Sequence, residues 1–162
     1  METIGNLIEL LKSQLALYKE IKETLSKEKS FIVSWDFTNI PDLVKEKENL
    51  FRREKILEEA RKSLTNRLVA EYSLEEPTLL SIINASKNKD QKEELTKLRE
   101  GLSLVAVEIS KENTALKLLY STNIRLINDL YAKIGIMQTS NKYGMDKSKN
   151  QAQAVSTFSA AG

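Results

Sequence analysis

At 162 residues the chain fits a single domain, and its 41% hydrophobic and 30% charged residues, with five Gly and two Pro, are the balance of a helical bundle rather than a sheet protein. It has no Cys and no His, which excludes disulfides, thiolate and imidazole chemistry and a conventional zinc site. The net charge of +2 comes from 25 basic and 23 acidic residues interleaved along the chain, an arrangement that argues against phosphate-backbone binding.

No uncharged apolar run approaches the roughly 18 residues needed to span a bilayer. The first 17 residues carry Glu2 and Glu9 and no basic leader, which is not the pattern of a secretory signal. A soluble cytoplasmic protein without membrane insertion, nucleic acid, metal or cofactor is therefore expected.

The first helix is predicted over residues 3–35. Ile4, Leu11, Tyr18, Leu25 and Ile32 fall seven apart, with Leu7, Ile21 and Trp35 at the second core offset of the heptad, where Gln14 and Glu28 are polar. A break follows at 36–41, where Thr38 or Asn39 can cap and Pro41 suits a first helical turn. The second helix runs to about Tyr72. Leu43, Leu50, Leu57 and Leu64 repeat at seven, but the alternate offsets hold Lys47, Glu54 and Arg61, which predicts the most solvent-exposed of the three long helices, with charged stems snorkelling outward.

Pro77 ends that register, and residues 77–83 read as a short helix or turn packed through Leu79, Leu80, Ile82 and Ile83. Asn88 or Asp90 can cap a long third helix, within which Gly101 costs about 1 kcal/mol relative to Ala. Its seam runs through Leu95, Leu98, Leu102, Val105, Ile109, Leu116, Leu119, Leu126 and Leu130, skipping Glu112 and Asn123. After Leu116, the residues Leu118, Tyr120, Ile124, Ile127, Tyr131, Ile134 and Ile136 lie outside that seam and load the helix with more apolar surface than a solvated back carries. Three covers are open: packing on the first helix, which has its own excess at Leu10, Leu15 and Leu17; a second copy of the chain; or a partner helix. Asn113 and Asn123 lie on or beside the seam, either as register-setting polar residues or as contacts to a partner. From Thr139 onward the composition cannot offset chain entropy, so the expected organisation is a helical domain at 1–138 and a disordered tail at 139–162.

Residues 108–130 resemble the most characteristic stretch of the FlgN family of flagellar export chaperones, which places an Asn just before a Leu-rich turn, here Asn113 with Leu116 and Leu119. The layout is also similar: a Leu-rich first helix with a Tyr, a turn from Asp36 to Leu43 opening a Leu/Lys/Glu helix, and a long third helix. In the tail, Tyr143-Gly144-Met145-Asp146 resembles the family's Tyr-Gly-x-Asp element, with Lys147 where that element usually closes with Gly.

The resemblance implies a non-enzymatic chaperone that binds C-terminal amphipathic helices of the hook-associated (hook-filament junction) proteins, prevents their premature self-association and delivers them to the export gate. Taken with the apolar excess of the third helix, this leads to the expectation of a cargo surface at Leu116, Leu119, Tyr120, Asn123, Ile127 and Leu130, and of docking to the cytoplasmic domain of the gate through Tyr143 and Gly144. The expected fold is all-α: an elongated antiparallel helical bundle or coiled-coil hairpin of three long helices with a short connecting helix, monomeric or weakly homodimeric. The alternative is a coiled-coil scaffold or tether that oligomerises through its seams; strong self-association without cargo distinguishes it.

Overall fold

The computed structural model describes residues 2–133. The expected tail, with Tyr143 and Gly144, and the expected domain boundary at 138 lie outside the described residues. All four elements are helices: α1 (Glu2–Val33), α2 (Ile40–Tyr72), α3 (Leu79–Ala85) and α4 (Lys89–Lys133). The chain divides into two units, Met1–Leu119 and Tyr120–Gly162. The first is an all-α bundle; of the second, the described part is the last 14 residues of α4.

Within the first unit, cross-helix pairs fix the directions. Gln14 meets Glu58, Tyr18 meets Glu54 and Glu28 meets Lys47, so α2 runs antiparallel to α1. Lys12 meets Glu94, Lys22 meets Glu108 and Lys29 meets Glu112, so α4 runs alongside α1 in the same direction. Gly101 marks a close approach on this side, because a Cβ there would stand 3.3 Å from Leu15 Cδ2. Half-exposed ion pairs contribute only about 0.2–1 kcal/mol each, so they set register more than stability.

Stability comes from two apolar clusters. One gathers Ile4, Leu7, Ile8 and Leu11 of α1 with Leu68, Ile82, Ile83, Leu95 and Leu98; the other gathers Leu17, Ile21, Leu25 and Ile32 with Leu50 and Leu116. Most of the heptad positions of the first helix are thus core, and α1's expected excess at Leu17 is spent inside the bundle. Glu112, which interrupts the α4 seam, has Lys29 Nζ at 2.6 Å.

Three expectations are corrected. Trp35 is not a seam residue: α1 stops at Val33, the Asp36 N–H donates to Phe31 O, and Trp35 sits at φ 57 in the left-handed region, 56% exposed and edge-on to Phe37. This is a helix C-terminal turn that glycine usually fills, and the Cβ of a Trp makes it strained. Leu80 is exposed, since only Ile82 and Ile83 of the seven-residue α3 reach the core. Asn113 is exposed on α4, which removes the buried register-setting residue from the two readings the sequence left open for it.

The caps follow the sequence more closely. Asn88 Oδ1 accepts from the Asp90 and Gln91 N–H groups at the start of α4, and Thr78 Oγ1 accepts from the Ser81 N–H at the start of α3. Asn39 occupies the cap position of α2 without a side-chain cap bond, and Pro41 falls in the first turn.

Candidate functional site

Two places on the molecule concentrate side chains that the core does not use. The first lies between the clusters, where α1 and α2 face each other through polar groups. Gln14, 2% exposed, donates to Glu58 Oε2 at 3.2 Å, and Arg61 clamps the same carboxylate through Nε at 2.7 Å and Nη2 at 2.6 Å. The Arg61 guanidinium holds the Glu58 carboxyl below its ordinary pKa, and burial pushes the Tyr18 phenol up, with the neighbouring Glu54 carboxylate acting the same way. Further along, Thr24 donates to Glu46 and Lys47 donates to Glu28, which is itself buried. Lys47, Glu54 and Arg61 therefore do not snorkel outward as expected; they turn toward polar partners on α1 or on α2 itself. A recess of about 480 Å³ opens here, lined by Gln14, Tyr18, Glu54, Glu58, Arg61 and Arg99 among others. Glu58 is taken up by Arg61 and Gln14 and Glu54 by the Tyr18 hydroxyl, which makes this a structural layer rather than a poised reaction centre.

The second place is the end of α4. Over 120–133 the exposed apolar residues are Tyr120, Ile124, Leu126, Ile127, Leu130 and Tyr131. At 100° per residue, Tyr120, Ile124, Ile127 and Tyr131 share an arc of about 60°, with Asn123, Leu130 and Leu126 extending one edge. Ser121, Thr122, Arg125, Asn128 and Asp129 take the opposite arc, with Lys133 beside Leu126 at its border. An apolar face of this kind, exposed along one side of an amphipathic segment, is the chemistry of a surface built to receive another apolar face.

The structure divides the six residues expected to bind cargo. Leu116 is 3% exposed inside the second apolar cluster and Leu119 is half-buried against it. Tyr120, Ile127 and Leu130 are exposed, and Asn123 is half-buried between them. Ile124, Leu126 and Tyr131 share the same face but were not among the six; the four-three-four spacing from Tyr120 to Tyr131 is the signal that finds two of them. No group of residues suited to hold a metal ion occurs among the described residues, and no described helix is long and apolar enough to cross a membrane.

Comparison with known families places this arrangement. The model of the FlgN protein family matches residues 1–151, nearly the whole chain. The chain belongs to the FlgN family. As a FlgN protein it is a flagellar export chaperone, in a family of chaperones rather than enzymes, and it binds flagellar proteins. Neither the curated proteins nor the solved structures contain a match to it. The family match covers both the bundle and the exposed segment at 120–133, so the fold and the candidate surface belong to one FlgN unit of sequence.

Proposed function

We propose that the apolar face of 120–133 receives the C-terminal amphipathic helices of hook-associated flagellar proteins, keeps them from associating before secretion and hands them to the export gate in the cytoplasm. The observation that carries this reading is the row of exposed Tyr120, Ile124, Ile127 and Tyr131, flanked by exposed Leu130. A helix-in-groove partner engages by laying its apolar stripe on such a face, and each fully covered Leu or Ile contributes about 1.5–3 kcal/mol before the costs of association. The cargo surface then comprises Tyr120, Asn123, Ile127 and Leu130, with Ile124 and Tyr131 added. Leu116 serves the core, as does the half-buried Leu119.

Replacing Ile127 and Leu130 with Asp is expected to abolish binding of a hook-associated C-terminal helical peptide in calorimetric titration while leaving helicity unchanged. Retained binding contradicts this reading. Tyr143 and Gly144 are proposed to serve the gate, so a chain lacking 139–162 is expected to bind cargo normally and support less export. Loss of cargo binding on that truncation instead assigns the cargo site to the tail. Sedimentation of the protein alone is expected to show a monomer or weak dimer; a strong oligomer favours the scaffold alternative.

A further inference from the structure

Asn123 is the polar exception on the face. It lies half-buried with exposed Tyr120, Ile124, Ile127 and Leu130 on the turns around it. Among the described residues, no protein group hydrogen-bonds its side chain. A carboxamide offers two donors and an accepting oxygen, and all of these are satisfied by water only while the face is open. A helix laid over Tyr120, Ile124 and Ile127 removes that water. If it presents only methyl groups, the amide is left desolvated and unpaired, a penalty equivalent to roughly 10-fold in affinity.

We infer that Asn123 sets the register and the selectivity of docking: the helix accepted on this face carries one neutral hydrogen-bonding residue within an otherwise apolar stripe, placed to meet the Asn123 amide. The inference rests on the helix-docking role proposed above. The class of the matching residue follows from the charge layout. Arg125 and Asp129 lie on the arc away from the face, and Lys117 and Lys133 flank it on the turns before Tyr120 and after Leu130, so no ionised side chain stands beside Asn123 to pair one of the partner. Asn, Gln, Ser or Thr fits, whereas Lys or Glu at that point is buried without a counter-charge. A single polar residue at a core position of paired helices fixes register in the same way, because every other alignment strands the amide.

The test uses the full chain and designed helical peptides that share one Leu/Ile stripe and one Lys/Glu back, differing only in where a single Asn interrupts the stripe, with the uninterrupted peptide as reference. Wild type is expected to bind one member of the series about 10-fold more tightly than members with Asn displaced by one turn. Asn123→Ala is expected to abolish that ranking without adding apolar surface, and Asn123→Leu to bind the uninterrupted peptide best, both with unchanged helicity. A series bound equally by wild type, or ranked identically by wild type and Asn123→Ala, overturns the role of Asn123 and leaves helix docking standing. Failure of wild type to bind any member removes the docking reading itself, and this inference with it.

Discussion

At the residue scale the core is narrow enough that neighbours in sequence differ sharply in consequence. Ile82 is 0% exposed in the first cluster while Leu80, two residues earlier in α3, is 49% exposed. Ile82→Ala is expected to destabilise by about 2–5 kcal/mol, since a fully buried side chain loses both its transfer free energy and its packing partners. Leu80→Ala is expected to stay within about 0.5 kcal/mol of wild type, and denaturant unfolding of the pair measures the contrast. Glu58 yields a pH prediction with a definite sign. Its folded pKa is lowered from 4.5 by the Arg61 hydrogen bonds, so it contributes stability that is present above 4.5 and lost as pH falls through the folded value. In unfolding titrations carried from neutral pH downward, Glu58→Gln is expected to show a shallower loss of stability below about pH 4.5 than wild type. An unchanged slope in the variant contradicts the Arg61 clamp.

At the element scale the contrast is between α1 and α2. Helix α1 buries eleven residues, α2 four, one of them Thr65. Between Leu50 and Thr65, α2 meets α1 through Glu54 and Glu58, with Leu57 and Leu64 only half-buried. Amide exchange followed by mass spectrometry is expected to be faster at residues 51–61 than in the matching stretch of α1, because local opening there exposes few apolar contacts. Equal protection would mean that the polar layer holds as firmly as the clusters. The contrast between these two helices was legible in the sequence, but the second helix is not the most exposed of the three as expected, since α4 buries only four of its 45 residues. The heptad of Ile4, Leu11, Leu25 and Ile32 and the charged alternate offsets of the second helix specify one buried and one exposed helix by spacing alone. The destinations of Lys47, Glu54 and Arg61 were not legible, because snorkelling and cross-helix pairing use the same residues and differ only in what the facing helix offers. Trp35 misled for a related reason: its offset suits the heptad, but the turn before Pro41 ends the helix first. At the candidate site, spacing showed the excess of apolar residues after Leu116 but not that Leu116 itself belongs to the core, since a seam residue reads identically whether or not something covers it.

At the scale of the whole molecule, a FlgN protein presents a packed bundle in Met1–Leu119 and an exposed apolar face at 120–133. The bundle supplies stability through clusters centred on α1. In the proposed reading a partner helix covers the exposed side chains of this face, and cargo can then be released without opening the core of the bundle. The central claim is that cargo helices settle on this face, and the most direct test is the amide-exchange footprint of the full chain with and without a saturating C-terminal helical peptide of a hook-associated protein. Slowed exchange concentrated at 120–133, with the polar layer of α2 unaltered, is the expected result. A footprint absent from 120–133 and found instead on α1 and α2, or in the tail, would contradict it.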